Sequence, residues 1–321
     1  MPSTSRLALL LSFAVLAFGA VPVGAQEFPV KPIRIIVNNA PGIITDIVAR
    51  TLATGLSKFI GQPVLVENKA GANGVIGYEY VAKQAPADGY TLIVGSISQL
   101  AILPWITKDL RFNPLRDLVT VIGLGKGPYY FVSTSMLPWK SFNEVVAFAR
   151  ANPGKLNYGS SGATTRLVTE AIVRSVGLNV VFVPYRAGAD YQKALIVNEV
   201  QVGMLQLASI LAARDKVLPL AVTGKSRSAA LPNVPTLAEL GIPNIPGTSY
   251  ELDAPAGTSK AVIARLYAAG LQVLQDPDVK ARLAKLGLDV VAESPETAAD
   301  RFVEEARLFG DIAKAIGLQP E

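Results

Sequence analysis

Cysteine and histidine are both absent from this sequence of 321 residues. Without cysteine, the chain has no disulfide, no thiolate zinc site and no thiol nucleophile. Without histidine, it lacks the imidazole that serves most general bases and many transition-metal sites. The sequence also contains neither a G-x-S-x-G nor an S-x-x-K motif. We therefore predict that the protein is not an enzyme and that it uses no metal and no cofactor.

Long apolar runs are scarce too, and the one at the amino terminus extends from Leu7 to Val21. Arg6 precedes it and Val23-Gly24-Ala25 follows it, as in a secretory signal peptide. A membrane span needs about 20 apolar residues, and this run is shorter. We predict that residues 1–25 are a signal peptide cleaved near Ala25. An exported chain without cysteine fits the bacterial periplasm.

A block of like charge is also missing. The 30 Lys and Arg residues and 25 Asp and Glu residues give a formal charge of +5, and the cations are scattered along the chain. A nucleic-acid-binding protein usually has a clustered basic patch. We therefore expect no nucleic acid partner.

What the sequence does contain is an alternation of strand-like and helix-like segments. The β-branched run 33–37 precedes a helical pattern over 46–60, and strands are predicted again at 64–67 and 90–94. This order indicates parallel strands joined by right-handed crossovers, with a ligand crevice at their carboxyl ends. Two loops lie there, Pro41–Asp46 and Gly95–Gln99.

A second series begins near Gly125, and a mostly helical region ends the chain. Its predicted strands are 129–132, 156–159, 180–185, 202–205 and 218–223, and its helices are 141–151, 164–176 and 189–198. The proline-rich passage 231–247 suits a linker more than a core element. Helices over 259–274 and 294–316 and a short strand over 288–291 follow. Two α/β lobes joined by connections near 124–128 and 247–252 would form a hinged binder.

The first loop can be explained in two ways. A strand, a glycine turn and a helix that opens at Thr45-Asp46 present free backbone N–H groups to an anion. The alternative is an ordinary loop whose helix is capped by Thr45 or Asp46. The same choice applies to the hydroxyl cluster Ser160, Ser161, Thr164 and Thr165 at a later strand-to-helix turn. Tyr185 is either a buried strand-end tyrosine or an aromatic wall of the crevice.

Several motifs, taken in order, resemble the Bug family of periplasmic solute receptors, which serve tripartite tricarboxylate transporters. The matching segments are Lys31–Val37, Pro41–Arg50, GQPVLVENKAGANG (Gly61–Gly74), APADGYTLI (Ala85–Ile93), PGKLNYGSSG (Pro153–Gly162), VPYRAG (Val183–Gly188), LAVT (Leu220–Thr223), LPNVPTLAELG (Leu231–Gly241) and APAGTSK (Ala254–Lys260). Each segment alone is weakly specific, but their order covers nearly the whole mature chain.

The resemblance implies an α/β fold of the type II periplasmic-binding-protein class, with two lobes and a ligand crevice between them. Residues 26–125 and 248–321 would form the first lobe, and residues 126–247 the second. The implied function is capture of a small carboxylate for the membrane subunits of the transporter, by a monomer. The alternatives are a ligand-sensing receptor for a membrane signalling protein and, less favoured, a periplasmic enzyme that uses Asp, Lys or Tyr.

Departures from the family pattern bear on the ligand. Two glycines of the first loop are replaced by Ile43 and Ile44, which offer apolar surface and exclude water. A histidine is replaced by Arg166, and an aspartate that suits a ligand amine is replaced by Leu207. These changes favour anionic ligands over amino acids. We rank terephthalate first, followed by aromatic monocarboxylates and linear C4–C6 diacids.

The predicted site draws on both lobes. We interpret one member, Asp46, as a cap that orients the first loop. The residues assigned to the site are Pro41, Gly42, Ile43, Ile44, Thr45, Asp46, Ser96, Ser98, Ser160, Ser161, Thr164, Thr165, Arg166, Tyr185, Ala187, Gly188, Gln206 and Leu207.

Overall fold

The computed structural model describes residues 28–243 and 245–320. The predicted signal peptide, residues 1–25, lies outside these residues. The strands are, in chain order, β1 (Ile33–Val37), β2 (Val64–Asn68), β3 (Thr91–Ser96), β4 (Leu118–Gly127), β5 (Tyr130–Thr134), β6 (Asn157–Ser160), β7 (Val181–Pro184), β8 (Val202–Leu205), β9 (Val217–Val222), β10 (Thr248–Pro255) and β11 (Asp289–Glu293).

The helices lie between and after these strands, and none in the described part of the chain is long and apolar enough to cross a membrane. They are α1 (Ile44–Ile60), α2 (Val75–Glu79), α3 (Ile97–Ile106), α4 (Pro114–Asp117), α5 (Phe142–Ala151), α6 (Ala163–Ser175), α7 (Gly188–Ile196), α8 (Leu207–Ala213), α9 (Lys260–Gln275), α10 (Pro277–Lys285) and α11 (Pro295–Ala315).

The strands form two mixed sheets. The first has the order β11-β4-β10-β3-β1-β2, and the second has the order β7-β6-β8-β5-β9. In the first sheet β1 is parallel to β2 and β3, and β10 is antiparallel to both β3 and β4. In the second, β6 is parallel to β7 and β8, whereas β5 is antiparallel to β8 and β9. The predicted two-lobe α/β fold is confirmed, and we call the lobe around each sheet the first and second lobe.

The chain passes between the lobes twice, after β4 and after β9, and the two passages lie side by side. The backbone of Tyr129 and that of Thr223 are joined by a hydrogen bond of 2.9 Å, and Gly247 packs directly against the carbonyl of Gly127. A side chain at position 247 would collide with that carbonyl. Glycine is therefore required where the two connections approach each other.

Local sequence patterns account for most elements. Val48, Leu52 and Leu56 bury one stripe of α1 against the first sheet, whereas Phe59, which the helical period places on the same stripe, is 42% exposed. The Ser141 hydroxyl accepts a hydrogen bond from the backbone N–H of Glu144 and caps the start of α5. The strands β4 and β10 were not among the predicted segments.

The proline-rich passage 231–247 corrects one expectation. It was predicted as a linker, yet Leu237, Ile242 and Ile245 are almost completely buried in an apolar cluster with Phe131. The passage is therefore a packed part of the second lobe. The same cluster contains residues of α3 and α6, so apolar packing continues from one lobe into the other.

Ionisable side chains are buried along β10. Arg301 of α11 binds Glu251 and Glu293 over 2.7 Å and Glu305 over 3.2 Å, and its own side chain is only 17% exposed. Asp253 lies on the same face of β10 as Glu251 and is also buried. Burial raises the pKa of Asp253 to about 7, against a hydrogen bond with Thr120 and the charge of Arg301, which lower it.

We predict that this group makes the protein less stable as the pH rises. Between the ordinary carboxyl pKa of 3.8 and about 7, the folded state holds a proton on Asp253 that the unfolded chain releases. The free energy of unfolding should therefore fall across this window. Asp253→Asn, which resembles the protonated acid, should gain stability relative to the wild type between pH 5 and pH 8 in urea titrations.

The exposed Asp300→Asn variant is the charge-matched control. Its stability relative to the wild type should not change with pH in the same direction. If the difference in free energy of unfolding between Asp253→Asn and the wild type were the same at every pH, the raised pKa of Asp253 would be contradicted.

Candidate functional site

Helix starts divide into two groups in this structure. Five helices, α1, α3, α6, α7 and α8, follow the carboxyl ends of β1, β3, β6, β7 and β8. Their N-cap residues are Ile43, Ser96, Gly162, Ala187 and Gln206, and none of these makes a side-chain cap hydrogen bond. Five other helices are capped, by Asn113, Ser141, Ser259, Asp276 and Ser294, and α2, whose N-cap residue is Gly74, has no side-chain cap. Side-chain capping is thus missing on the edge of each sheet where a crevice is expected. First-turn N–H groups there are suited to an anion.

In the first loop, Asp46 has a structural role. Its Oδ2 accepts hydrogen bonds from the backbone N–H of Gly42 over 2.9 Å and from Nε of Arg50 over 3.0 Å, and its Oδ1 accepts one from Asn68 over 2.9 Å. Burial opposes ionisation, but these bonds outweigh it and lower the pKa of Asp46. Asp46 therefore orients the first loop, but the prediction that it caps the helix is wrong, because the N-cap residue of α1 is Ile43 and Asp46 lies inside the helix.

The two isoleucines of the first loop differ in environment. Ile43 is 43% exposed, whereas Ile44 packs partly against the first-lobe core, and Thr45 is buried. Pro41 and Gly42 are exposed. Apolar surface at this loop therefore comes mainly from Ile43.

A chain of amide side chains runs from the first loop toward the second lobe. Nδ2 of Asn39 donates to Oδ1 of Asn38, Nδ2 of Asn38 donates to Oε1 of Gln99, and Nε2 of Gln99 donates to the carbonyl of Asn73. The three distances are between 2.8 and 2.9 Å. These bonds fix the position of Asn73, which has the left-handed backbone that asparagine tolerates.

Ser96 and Ser98 lie in a buried polar network where the lobes join. The hydroxyl of Ser96 is 2.9 Å from that of Ser98 and 3.0 Å from that of Thr248. Gln206 of the second lobe donates from Nε2 to the Tyr250 hydroxyl of the first lobe over 3.1 Å. The hydroxyls of Ser96 and Ser98 are therefore occupied by protein partners, and both side chains are buried.

Ser160 organises the loop before α6. Its hydroxyl donates to the carbonyl of Gly162 over 2.8 Å, lies 2.6 Å from the Thr165 hydroxyl and accepts from the N–H of Gly162. Ser160 is buried, whereas Ser161 and Thr164 are half-buried. Ser160 and Thr165 thus shape the turn, and Ser161 is the more accessible hydroxyl.

Arg166 is held firmly in the first turns of α6. Its Nε donates to Oε1 of Glu170 over 2.9 Å, and its guanidinium carbon lies 4.6 Å from the centre of the Phe182 ring. The Tyr158 hydroxyl donates to the same Glu170 oxygen over 2.9 Å. Burial and the Glu170 charge raise the pKa of Tyr158, so the hydroxyl stays protonated.

A cavity of about 220 Å³ joins these groups across the two lobes. From the second lobe it is lined by Ser160, Ser161, Arg166 and Tyr185, all predicted site residues, together with Glu170 and Phe182. The first lobe contributes Asn73, Ile106, Ile316, Leu318 and Gln319. We take this cavity as the candidate ligand site.

Other predicted residues lie outside the cavity. The first loop does not line it, and Ala187 and Gly188 are exposed at the start of α7. The side chain of Leu207 is buried and packs against Gly287 of the first lobe. Glu170, Phe182, Asn73 and the carboxyl-terminal residues were not predicted. Of these, only Asn73 could have been suspected from the sequence, because the Gly71-Ala72-Asn73-Gly74 turn favours a left-handed backbone.

The sequence is similar to that of a known protein family. The family described as "Tripartite tricarboxylate transporter family receptor" matches residues 48–318. Protein BugT of Bordetella pertussis is 32% identical over 323 residues, with 99% of each chain covered.

Solved structures resemble the chain over most of its length. The R. palustris protein Rpa4515, solved with adipate, has a TM-score of 0.83 and 29% identity, with 92% of this chain and 100% of that chain covered. MatC from Rhodopseudomonas palustris, solved with malate, has a TM-score of 0.80 and 29% identity, with coverage of 89% and 100%. The matched family is a family of receptors, in agreement with the prediction that this chain is not an enzyme.

We predict that Asp46→Asn destabilises the protein by about 1–3 kcal/mol, because the amide cannot replace the charge-assisted bonds of a buried carboxylate. Since the folded-state pKa is lowered, this contribution is complete above the unfolded pKa of about 4 and is lost as the pH falls through the folded value. Urea denaturation at pH 7 and pH 3 measures both effects. The exposed partner of Arg307, Asp311, is the control: Asp311→Asn should leave stability unchanged.

Proposed function

Because this chain belongs to the tripartite tricarboxylate transporter receptor family, we propose that it captures a small carboxylate in the periplasm and delivers it to the membrane subunits of such a transporter. The observation that carries this proposal is the set of helix starts without side-chain caps at the carboxyl ends of the strands. Backbone N–H groups bind an anion without placing a buried cation beside it. A carboxylate could accept hydrogen bonds there that no N-cap side chain accepts.

The candidate cavity indicates how such a ligand is held. Ser161 and the first-turn N–H groups of α6 offer donors at one end, and the Arg166 guanidinium lies one turn further along the helix. Ile106, Ile316 and Leu318 supply an apolar wall. This arrangement supports a ligand with a carboxylate and an apolar or flat body. The candidates are terephthalate, aromatic monocarboxylates and linear C4–C6 diacids, and the relatives solved with adipate and malate support the carboxylate class.

The delivery role also implies export and an accessible surface. We propose that residues 1–25 direct the chain to the periplasm and are removed near Ala25. We further propose that the mature receptor acts as a monomer, with residues 26–125 and 248–321 in one lobe and residues 126–247 in the other. Both lobes would then be free to close on the ligand and to meet the membrane subunits.

A thermal-shift screen of mono- and dicarboxylates tests the ligand class. A carboxylate present at 100 times its dissociation constant should stabilise the protein by about 2.7 kcal/mol. Amino acids and neutral sugars at the same concentrations are the controls. Stabilisation by those compounds and by no carboxylate would refute the proposal. As a test against enzymatic activity, incubation of the protein with each acid, followed by chromatography, should yield no product.

Ligand-induced closure is a second expectation. The paired connections at Gly127 and Gly247 allow the lobes to rotate as rigid bodies, as in other hinged binders. Small-angle X-ray scattering should show a smaller radius of gyration when the tightest ligand of the screen is saturating. A radius that stays the same under saturation would count against closure.

A further inference from the structure

The cavity between the lobes contains one cation and one anion. Arg166 and Glu170 are one helical turn apart, and they are the charged residues among those that line the cavity in the described part of the chain. Their direct bond of 2.9 Å leaves the cavity close to neutral. From the sequence we expected a more positive crevice, because Arg166 departs from the family pattern. The sequence did not show that Glu170 is its carboxylate partner.

Glu170 is fixed in place and poorly hydrated. Its side chain is 16% exposed, and one oxygen accepts hydrogen bonds from both Arg166 and Tyr158. The Phe182 ring packs against the guanidinium of the same pair. Because the side chain is largely shielded from solvent, water and salt screen the negative charge of Glu170 less than that of an exposed residue.

The rest of the lining offers no second cation. Asn73 and Gln319 present neutral amides, and Ile106, Ile316 and Leu318 are apolar. One carboxylate can be accepted near Ser161 and the first turn of α6. Arg166 is already bonded to Glu170, so a second carboxylate inside the cavity would meet the like charge of Glu170 with no further cation among the lining residues, whereas an amide or hydroxyl there could donate a hydrogen bond.

We propose that Glu170 is a specificity-determining residue, which selects ligands that present a single carboxylate and an uncharged polar group to this cavity. The inference rests on the proposed function and narrows its ligand class. It places aromatic monocarboxylates with a hydrogen-bonding substituent ahead of terephthalate. Selectivity here arises from a repulsive element as much as from the donors that attract the first carboxylate.

Two pairs of ligands that differ by one charge test this role by isothermal titration calorimetry. The first pair is terephthalate and 4-carbamoylbenzoate, and the second is adipate and its monoamide. The wild type should bind the monoamide of the better-binding pair at least 10-fold more tightly than the diacid. Glu170→Gln keeps an oxygen that accepts from Tyr158 and Arg166, so the ratio should fall to about 1 or reverse.

Glu239→Gln is the matched control. Glu239 pairs with Arg227 in the second lobe, outside the cavity, so this variant changes the net charge equally. It should keep the wild-type ratio, and Glu170→Ala provides a second variant if Glu170→Gln unfolds.

Two results would separate the inference from the proposed function. A wild type that binds diacid and monoamide equally, or a ratio that survives both Glu170 substitutions, overturns the role of Glu170 while carboxylate binding stands. A wild type stabilised by no carboxylate overturns the proposed function, and this inference falls with it.

Discussion

The direction of the strands is the constraint on which the site depends. Parallel strands of each sheet end at the same edge, so the helices that follow them all begin there. A helix start exposes N–H groups that need acceptors, and here side chains do not supply them. At α5 and α9, which follow the antiparallel strands β5 and β10, Ser141 and Ser259 supply caps. Strand direction thus separates the helix starts without side-chain caps from those that side chains cap.

The junction between the lobes has a defined geometry. Gly127 and Gly247 permit a close approach of the two connections, while the bond from Gln206 to Tyr250 and the hydroxyls around Thr248 fix how the lobes meet. Apolar packing between α3 and α6 adds to this contact. Movement of the lobes therefore has to exchange specific polar and apolar contacts, and a ligand that bridges the lobes shifts that balance through its own contacts.

Most of the fold could be predicted from the sequence, because apolar periodicity reports which face of an element is buried. The strands β1 and β6 and the helices α1, α5 and α11 followed from such patterns. The strand β10 could not be predicted in this way, because acidic residues such as Glu251 and Asp253 are usually exposed. Here both are buried, Glu251 beside Arg301 and Asp253 beside Thr120. In the site, Ser161 was predicted from a local cluster of hydroxyl residues and Arg166 from the family resemblance, whereas Ile316 and Gln319 come from the far end of the chain. Local patterns carry no information about such tertiary neighbours.

Arg166 shows why a residue's charge is a poor guide to the charge of its site. In the sequence it replaces a neutral or weakly basic side chain and suggests a preference for anions. In the fold, Glu170 lies beside it at the i+4 position, and Phe182 and Tyr158 hold both in one arrangement. The guanidinium then acts as an oriented donor in a nearly neutral cavity. If this cavity is the ligand site as proposed, the positions of hydrogen-bond donors and of the Glu170 charge would determine which ligand is recognised, and the apolar carboxyl-terminal wall would determine how much of the ligand is buried.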